Sequence, residues 1–291
     1  KIAHTESSLG WGGQEIRILR EGELLASMGH DVWIVCDNKS LISQRVHDLA
    51  PNVKSIPITL SRKRLKDLVQ LRKALKQIKP DVVVCHSSTD HWLCAVARRF
   101  LRHRFPIVRA RHISAPVRGN LATKWLYGCG CEAITTTGEG IRDALIAGGI
   151  CSSEKVESIP TGLDPKGFQG LSRQAAREML ELPSGATLIG IIATLRSWKG
   201  HEDLIRAMAL VDPETQLVIV GEGPRLAALK RLARDLNIAD RVRFVGHQTD
   251  VAPWFAAVDL YAQPSYANEG VPQAILQAMA TGLPIVSCPI G

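Results

Sequence analysis

The sequence is poor in aromatic residues, at 5%, and carries no nucleic-acid-binding motif. Without aromatics interleaved among its basic residues it has little with which to stack bases, which argues against a nucleic-acid partner. Long apolar runs are also missing. The longest, Val82–Cys85 and Leu188–Leu195, fall far short of the ~20 residues of a membrane-spanning helix. The opening Lys1-Ile2-Ala3-His4 has none of the features of a signal peptide. Cysteine is sparse and odd in number: seven residues, of which only Cys129 and Cys131 are close. No second pair completes a zinc site, so reduced thiols in a cytoplasmic protein and no bound metal are expected. No pair of carboxylates stands out as acid and nucleophile, which disfavours an ordinary glycosidase. Solenoid repeats and low-complexity tracts are absent as well.

What is present is an ordinary globular composition, 45% hydrophobic and 22% charged over 291 residues, enough for roughly two domains of about 100–200 residues. The formal net charge of +8 is unevenly placed. Residues 1–165 hold 24 Lys and Arg against 16 Asp and Glu, whereas residues 166–291 hold 12 of each. Two segments carry the excess: one from Arg62-Lys63-Arg64 through Lys79, the other from Arg98 to Arg118. A basic face suits an anionic lipid surface or a phosphorylated substrate, although a solvated helix face would read the same way.

Short Val/Ile-rich runs alternate with amphipathic stretches along the whole chain. Expected strands are Ile2–His4, Val32–Cys36, Ser55–Ile58, Val82–His86, Ile107–His112, Ala133–Thr137 and Val156–Ile159, then Leu188–Leu195, Gln216–Gly221, Val242–Gly246, Leu260–Gln263 and Pro284–Ser287. Expected helices include Gln14–Met28, Leu65–Ile78, Thr89–Leu101, Gly140–Ala147, Glu202–Leu210, Leu226–Leu236 and Pro272–Ala280. Alternation of this kind implies α/β architecture, with parallel sheets covered by helices on both faces. The rhythm pauses between Pro160 and Ala186, where the charge balance also changes. That places a domain boundary there, with domains 1–164 and 165–291. In such sheets ligands bind at the carboxyl ends of the strands.

Several strand ends carry candidate chemistry. Pro264-Ser265 breaks a strand, and the loop after it delivers Glu269 and Gly270 just before an apolar helix. Unpaired amides at a helix start attract anions, while a carboxylate there accepts hydrogen bonds from hydroxyls. Phosphate-binding amides beside a hydroxyl-binding acid suit a nucleotide sugar; complementing the helix dipole is the alternative role for Glu269. Arg196 and Lys199, in Thr194-Leu195-Arg196-Ser197-Trp198-Lys199-Gly200, can grip a diphosphate through charge-assisted hydrogen bonds and stabilise it as a leaving group. Gly10-Trp11-Gly12-Gly13 lets a backbone approach phosphate closely, or simply makes a tight strand-to-helix turn. Arg109-Ala110-Arg111-His112 puts a histidine at a ligand edge, and Cys85-His86-Ser87-Ser88-Thr89-Asp90-His91 forms a second such loop. Neither a nucleophile elbow nor zinc spacing accompanies that loop, and His112 is preferred over His86.

Taken in order, Val220-Gly221-Glu222-Gly223-Pro224, Arg241-Val242-Arg243-Phe244-Val245-Gly246, Pro264-Ser265, Glu269-Gly270 and Ala278-Met279-Ala280-Thr281-Gly282-Leu283-Pro284 resemble the retaining family-four glycosyltransferases. Gly12-Gly13 and Ile159-Pro160-Thr161-Gly162-Leu163-Asp164 are similar too. The resemblance covers nearly the whole chain and is strongest beyond Thr187. It implies a GT-B fold: two Rossmann-like doubly wound parallel-sheet domains facing a central cleft, an acceptor-side domain followed by a donor domain. It implies sugar transfer from a nucleotide donor with retention and without an essential metal or other cofactor. Glu269 would hold the sugar hydroxyls, with Gly270 and Val271 amides meeting hydroxyl or phosphate oxygens. Arg196 and Lys199 would grip the diphosphate, Gly13 beside Gly12 would approach it, and His112 would sit beside the sugar. Gly246 and His247 would lie near the base.

Three positions depart from that pattern. Gln277 stands where the family usually has a second glutamate for ribose, and an amide can still exchange hydrogen bonds there. Thr194 stands where an arginine is usual, with Arg196 nearer Lys199. The sequence stops at Gly291, where relatives continue with more sheet and a terminal helix, so it reads as a fragment or shortened form. The expected activity is transfer to a cell-surface glycan or lipid-linked acceptor, as in lipopolysaccharide or polysaccharide biosynthesis, in the cytoplasm and at the inner face of an anionic membrane. A sugar-nucleotide epimerase of the same fold and a non-catalytic nucleotide-sugar-binding partner subunit are the alternatives.

Overall fold

The computed structural model of the chain describes residues 1–267 and 269–289, so Asn268, in the loop between Ser265 and Glu269, lies outside the described residues. Two compact units divide at Thr161 and Gly162.

In chain order the first unit holds β1 (Ile2–Glu6), α1 (Gly13–Ser27), β2 (Val32–Asp37), α2 (Leu41–Leu49), β3 (Lys54–Ile58), α3 (Leu65–Ile78) and β4 (Val82–Cys85). It continues with α4 (Ser88–Arg99), β5 (Ile107–Arg111), α5 (Leu121–Gly128), β6 (Ala133–Thr136), α6 (Glu139–Ala147) and β7 (Val156–Ser158). The seven strands are parallel in the order β3-β2-β1-β4-β5-β6-β7. Side chains alternate across a strand, so β1 and β2 feed two cores. Val32, Ile34 and Cys36 meet Ile18 and Leu19 of α1 and Ile42 and Val46 of α2. Ala3, Val35, Val83, Ile107 and Ile134 meet Leu71 and Leu75 of α3 and Leu93 and Cys94 of α4. Full burial of each such aliphatic side chain contributes about 1.5–3 kcal/mol.

The second unit holds α7 (Arg173–Met179), β8 (Leu188–Ile192), α8 (His201–Met208), β9 (Gln216–Val220), α9 (Leu226–Asp235), β10 (Val242–Gly246), α10 (Ala252–Ala257), β11 (Leu260–Gln263), α11 (Gln273–Ala280) and β12 (Ile285–Ser287). Its parallel sheet runs β10-β9-β8-β11-β12. Leu217 and Ile219 pack against Ile205 of α8 and Leu229 of α9, whereas Val218 and Val220 pack against Ala176, Trp254 and Ala257. Arg177, 6% exposed, pins α7 to the sheet. It donates to the carbonyls of Ala257 and Ser184 and pairs with Asp259, which also accepts the amide of Leu188.

The order reverses between β1 and β4 in the first sheet and between β8 and β11 in the second. A doubly wound sheet opens a crevice at the carboxyl end of such a switch point. Two kinds of difference from the sequence reading stand out. The strand expected over Leu188–Leu195 stops at Ile192, because Leu195 turns its amide to Glu222 instead of a neighbouring strand. Helices α2, α5 and α10 were not anticipated. All the cysteines are free, and no helix among the described residues is long and apolar enough to cross a membrane.

Candidate functional site

In the second unit the loops after β8, β9, β10 and β11 are stitched together at the carboxyl edge. Leu195 donates its amide to Glu222, Arg225 to Leu195, Gly221 to Gly246 and Tyr266 to Trp198. Gly200 has φ +73°, and a Cβ there would collide with the Pro264 carbonyl. Gly221, at φ +141°, is pressed against the Ala193 carbonyl in the same manner. Only glycine tolerates both the conformation and the approach.

This close packing brings Lys199, in a 3₁₀ turn after β8, onto Glu269, after β11. Their side chains form an ion pair, 18% and 7% exposed respectively, across the switch point. Glu269 does not complement a helix dipole, since α11 starts at Gln273 with no acid in its first turn. Gly270 is buried and Val271 half-buried ahead of that helix, and Gln277 is buried within it. Arg196 is exposed, its guanidinium lying 5.8 Å from the Trp198 ring centroid. Gly246 closes β10 at φ +82°, followed by an exposed His247. Beneath the Glu269 loop, Tyr261 bonds Gln263, whose amide donates to Ser265 at 2.7 Å. That buried ladder was not read from the sequence; the polar alternation at 261, 263 and 265 was its only signal.

In the first unit the β1/β4 switch point holds a polar cluster of which sequence reasoning saw only parts. His112, after β5, is half-buried, and its Nε2 lies 2.9 Å from Nδ1 of His86. The Nε2 of His86 lies 2.9 Å from Nδ1 of His4. Neighbouring rings in this row lie edge to edge and nearly coplanar, with centroids 5.2 Å apart and planes 16° and 19° from parallel. Burial lowers all three from the ordinary 6.5, with the charges of Arg17, Arg109 and Arg111 taking His112 down further, to about 3. These imidazoles are therefore neutral at physiological pH.

Glu6 ends β1 fully buried, accepting from the amide of Ser8, from Ser87 and from Gln14. Burial and the neighbouring Asp90 push its carboxyl up to about 8. Asp90 accepts from Thr5 at 2.8 Å and from the amides of His86 and Ser87 at 3.0 Å, capping α4. Burial raises it to about 6 against the opposing charge of Arg109. Gly12 precedes α1 with extended backbone, and a methyl there would touch only Glu15 at 3.6 Å. Nothing within the fold demands glycine at that position. Gly13 begins the helix, exposed.

One unit thus offers a cation and an acid suited to phosphate and hydroxyls, and the other offers neutral imidazoles and a protonated Glu6 beside the Arg109–Asp90 charges. No group of three or more metal-ligating side chains occurs among the described residues.

Comparison with known proteins bears on the whole chain. The model of Glycosyltransferase Family 4 matches residues 11–166, and that of Glycosyl transferases group 1 matches residues 186–291. An Escherichia coli UDP-Gal:alpha-D-GlcNAc-diphosphoundecaprenol alpha-1,3-galactosyltransferase is 27% identical over 314 residues, covering 98% of this chain and 78% of the relative. The lipopolysaccharide core biosynthesis glycosyltransferase LpsE of Rhizobium meliloti (strain 1021) is 36% identical over 122 residues, which is 41% of this chain and 35% of LpsE. The crystal structure of Anabaena HepE in complex with UDP aligns with a TM-score of 0.85 at 20% identity, over 100% of this chain and 81% of that one. A structural likeness at that identity shows the fold alone.

Proposed function

The chain belongs to glycosyltransferase family 4, and we propose that Lys199, Arg196 and Glu269 form its donor site. It is a nucleotide-sugar glycosyltransferase with the GT-B fold, in a retaining, metal-independent family. The observation that carries the proposal is the Lys199–Glu269 pair at the β8/β11 switch point. A diphosphate arriving there takes over the ammonium of Lys199 and, with it, the guanidinium of Arg196. The carboxylate so released accepts from the sugar hydroxyls. Amides of Gly270 and Val271 serve hydroxyl or phosphate oxygens, Gln277 the ribose, and Gly246 and His247 the base. Gly12 and Gly13 give the phosphates room, and His112 meets the transferred sugar.

The reaction we infer is front-face displacement. The bond from the anomeric carbon to the phosphate oxygen breaks, and the departing phosphate takes the acceptor's proton. The acceptor oxygen then bonds the same face. Lys199 and Arg196 stabilise the charge that develops on the leaving diphosphate, so catalysis is positioning and electrostatics.

For the acceptor we propose a lipid-linked or cell-surface glycan, met at an anionic membrane from the cytoplasmic side. The names of the two relatives support it, as does α3. There Lys66, Arg72, Lys73 and Lys76, with Arg64 just ahead of the helix, are exposed and without an acidic partner among the described residues, beside exposed Leu65 and Val69. Sedimentation with phosphatidylglycerol vesicles should show binding at low salt that is lost at high salt and absent with neutral lipid. Binding indifferent to both lipid charge and salt would refute this part.

A thermal-shift panel of nucleotide sugars identifies the donor, after which Lys199→Ala is assayed with a panel of glycan acceptors. Turnover should fall by about a hundredfold or more. Unchanged turnover sinks the donor-site assignment. Epimerised donor without acceptor, or binding with no turnover, would point to the other two classes.

A further inference from the structure

His4, His86 and His112 belong to three adjacent strands or their ends, and the sheet register explains their contact. His4 is level with Val84, two residues before His86. Cys85 is level with Arg109, so His86 continues level with Ala110, two residues before His112. Period-two alternation keeps each step on one face. The result is a diagonal row in which each ring bonds the next, at 2.9 Å on both links.

We propose that His86 is a positioning residue that fixes the tautomer of His112, so that His112 presents an Nδ1–H donor to the transferred sugar; this rests on the role given to His112 above. A neutral imidazole has one N–H and one bare nitrogen. Each link needs one of each, so the whole row is oriented in one of two senses. In the first, His4 Nδ1–H donates to His86 Nε2, and His86 Nδ1–H donates to His112 Nε2. The proton of His112 is then on Nδ1, and His4 Nε2 is left bare. In the second, every proton is reversed and His4 carries an Nε2–H. That atom is enclosed and has no hydrogen-bond partner. A buried N–H without an acceptor is rarer and more costly than an unused lone pair. The inner end of the row therefore selects the first sense.

At the outer end, His112 Nδ1 has no protein partner among the described residues and is not among the enclosed unpaired atoms. It is available to a ligand as a donor only. Such a nitrogen matches a hydroxyl through its lone pairs, a ring oxygen, a phosphate oxygen or a carboxylate, and rejects an ammonium. It cannot serve as a base, because its bare nitrogen is turned inward to His86.

Long-range proton–nitrogen correlation spectra of the full chain, labelled with nitrogen-15 histidine, read the tautomer directly without substrate. At pH 7.5, His112 should be protonated at Nδ1 and bare at Nε2. His86→Leu should release it to a mixture of tautomers and lower kcat/KM by about tenfold or more. His86→Asn, whose amide nitrogen can stand where Nδ1–H stands, should restore both. His112 protonated at Nε2 in the unaltered protein overturns the inference, as does a His86→Leu spectrum with the tautomer unmoved. Should the leucine variant fail to fold, the unaltered spectrum and the asparagine variant still decide. If the tautomer is as expected but His112→Ala transfers sugar at the normal rate, the sugar contact is wrong and the functional role with it, while the donor site at Lys199 stands on its own test.

Discussion

Glu269 is 5% exposed with Lys199 as its ion-pair partner, so the affinity of either group for a ligand includes the loss of the other. A carboxylate repels a diphosphate, and it also holds the ammonium the diphosphate needs. Glu269→Gln removes the repulsion and frees Lys199, while keeping the size of the side chain. Nucleoside diphosphate should then bind as tightly or more tightly, measured by calorimetry. Sugar transfer should fall by about a hundredfold, because the amide is a poorer acceptor for hydroxyls whose bonds strengthen as the sugar departs. Weaker diphosphate binding together with undiminished transfer would show that the pair is only structural. Removing Lys199 instead leaves a nearly buried carboxylate uncompensated. Lys199→Ala should therefore lose stability as well as turnover, and the double variant should lose less stability than the two single losses added.

The turn that carries Lys199 depends on Gly200, which joins β8 to α8 in the left-handed region with Pro264 directly behind it. Gly200→Ala adds the conformational cost, about 1 kcal/mol, to a collision with backbone that has no free direction to yield, for a total above about 2 kcal/mol. Gly29, at φ +91° with open space where a methyl would stand, is the control, and its alanine variant should lose only about 1 kcal/mol. Equal losses in urea unfolding would mean that the contact with Pro264 is not what constrains the turn. Much of this architecture was legible in the residues, because parallel strands covered on both faces read as unbroken Val/Ile runs such as Val82–Cys85, buried on one face and half-buried on the other. Helix α2 was not, having only Ile42 and Val46 as buried anchors over nine residues and a start set by Ser40 capping Ser43. At the site, strand-end position pointed to Lys199, Glu269 and His112 separately. Their actual partners were hidden because the Lys199–Glu269 and His4–His86 contacts join residues 70 and 82 apart. Strand order and register create those contacts, and neither can be read from local pattern. Glu6 was overlooked for the same reason, as one acid at the end of a short strand.

Across the molecule, buried titratable groups oppose one another in their effect on stability. His4, His86, His91, His112 and His201 are all lowered by burial from 6.5, His112 to about 3 and His201 to about 4. The folded chain leaves them neutral where the unfolded chain would protonate them. Their contribution is complete above pH 6.5 and is lost as pH falls through that value toward the folded ones. Glu6, raised by burial from 4.5 to about 8, and Asp90, raised from 3.8 to about 6, act the other way. Each keeps its proton in the fold where the unfolded chain would release it, so its contribution is complete below the ordinary value and is lost as pH rises to the folded one. Between pH 4.5 and 6.5 five histidines outweigh two acids, and stability should rise. Between 6.5 and 8 only Glu6 still distinguishes the two states among these groups, and stability should decline by up to about 1.4 kcal/mol per pH unit. Urea midpoints measured from pH 5 to 8.5 should therefore peak near 6.5, and Glu6→Gln should flatten the alkaline side alone. A midpoint that climbs steadily through pH 8 would mean that Glu6 is ionised in the fold, and the β1/β4 crevice would then carry a second negative charge, beside that of Asp90, next to the row of histidines.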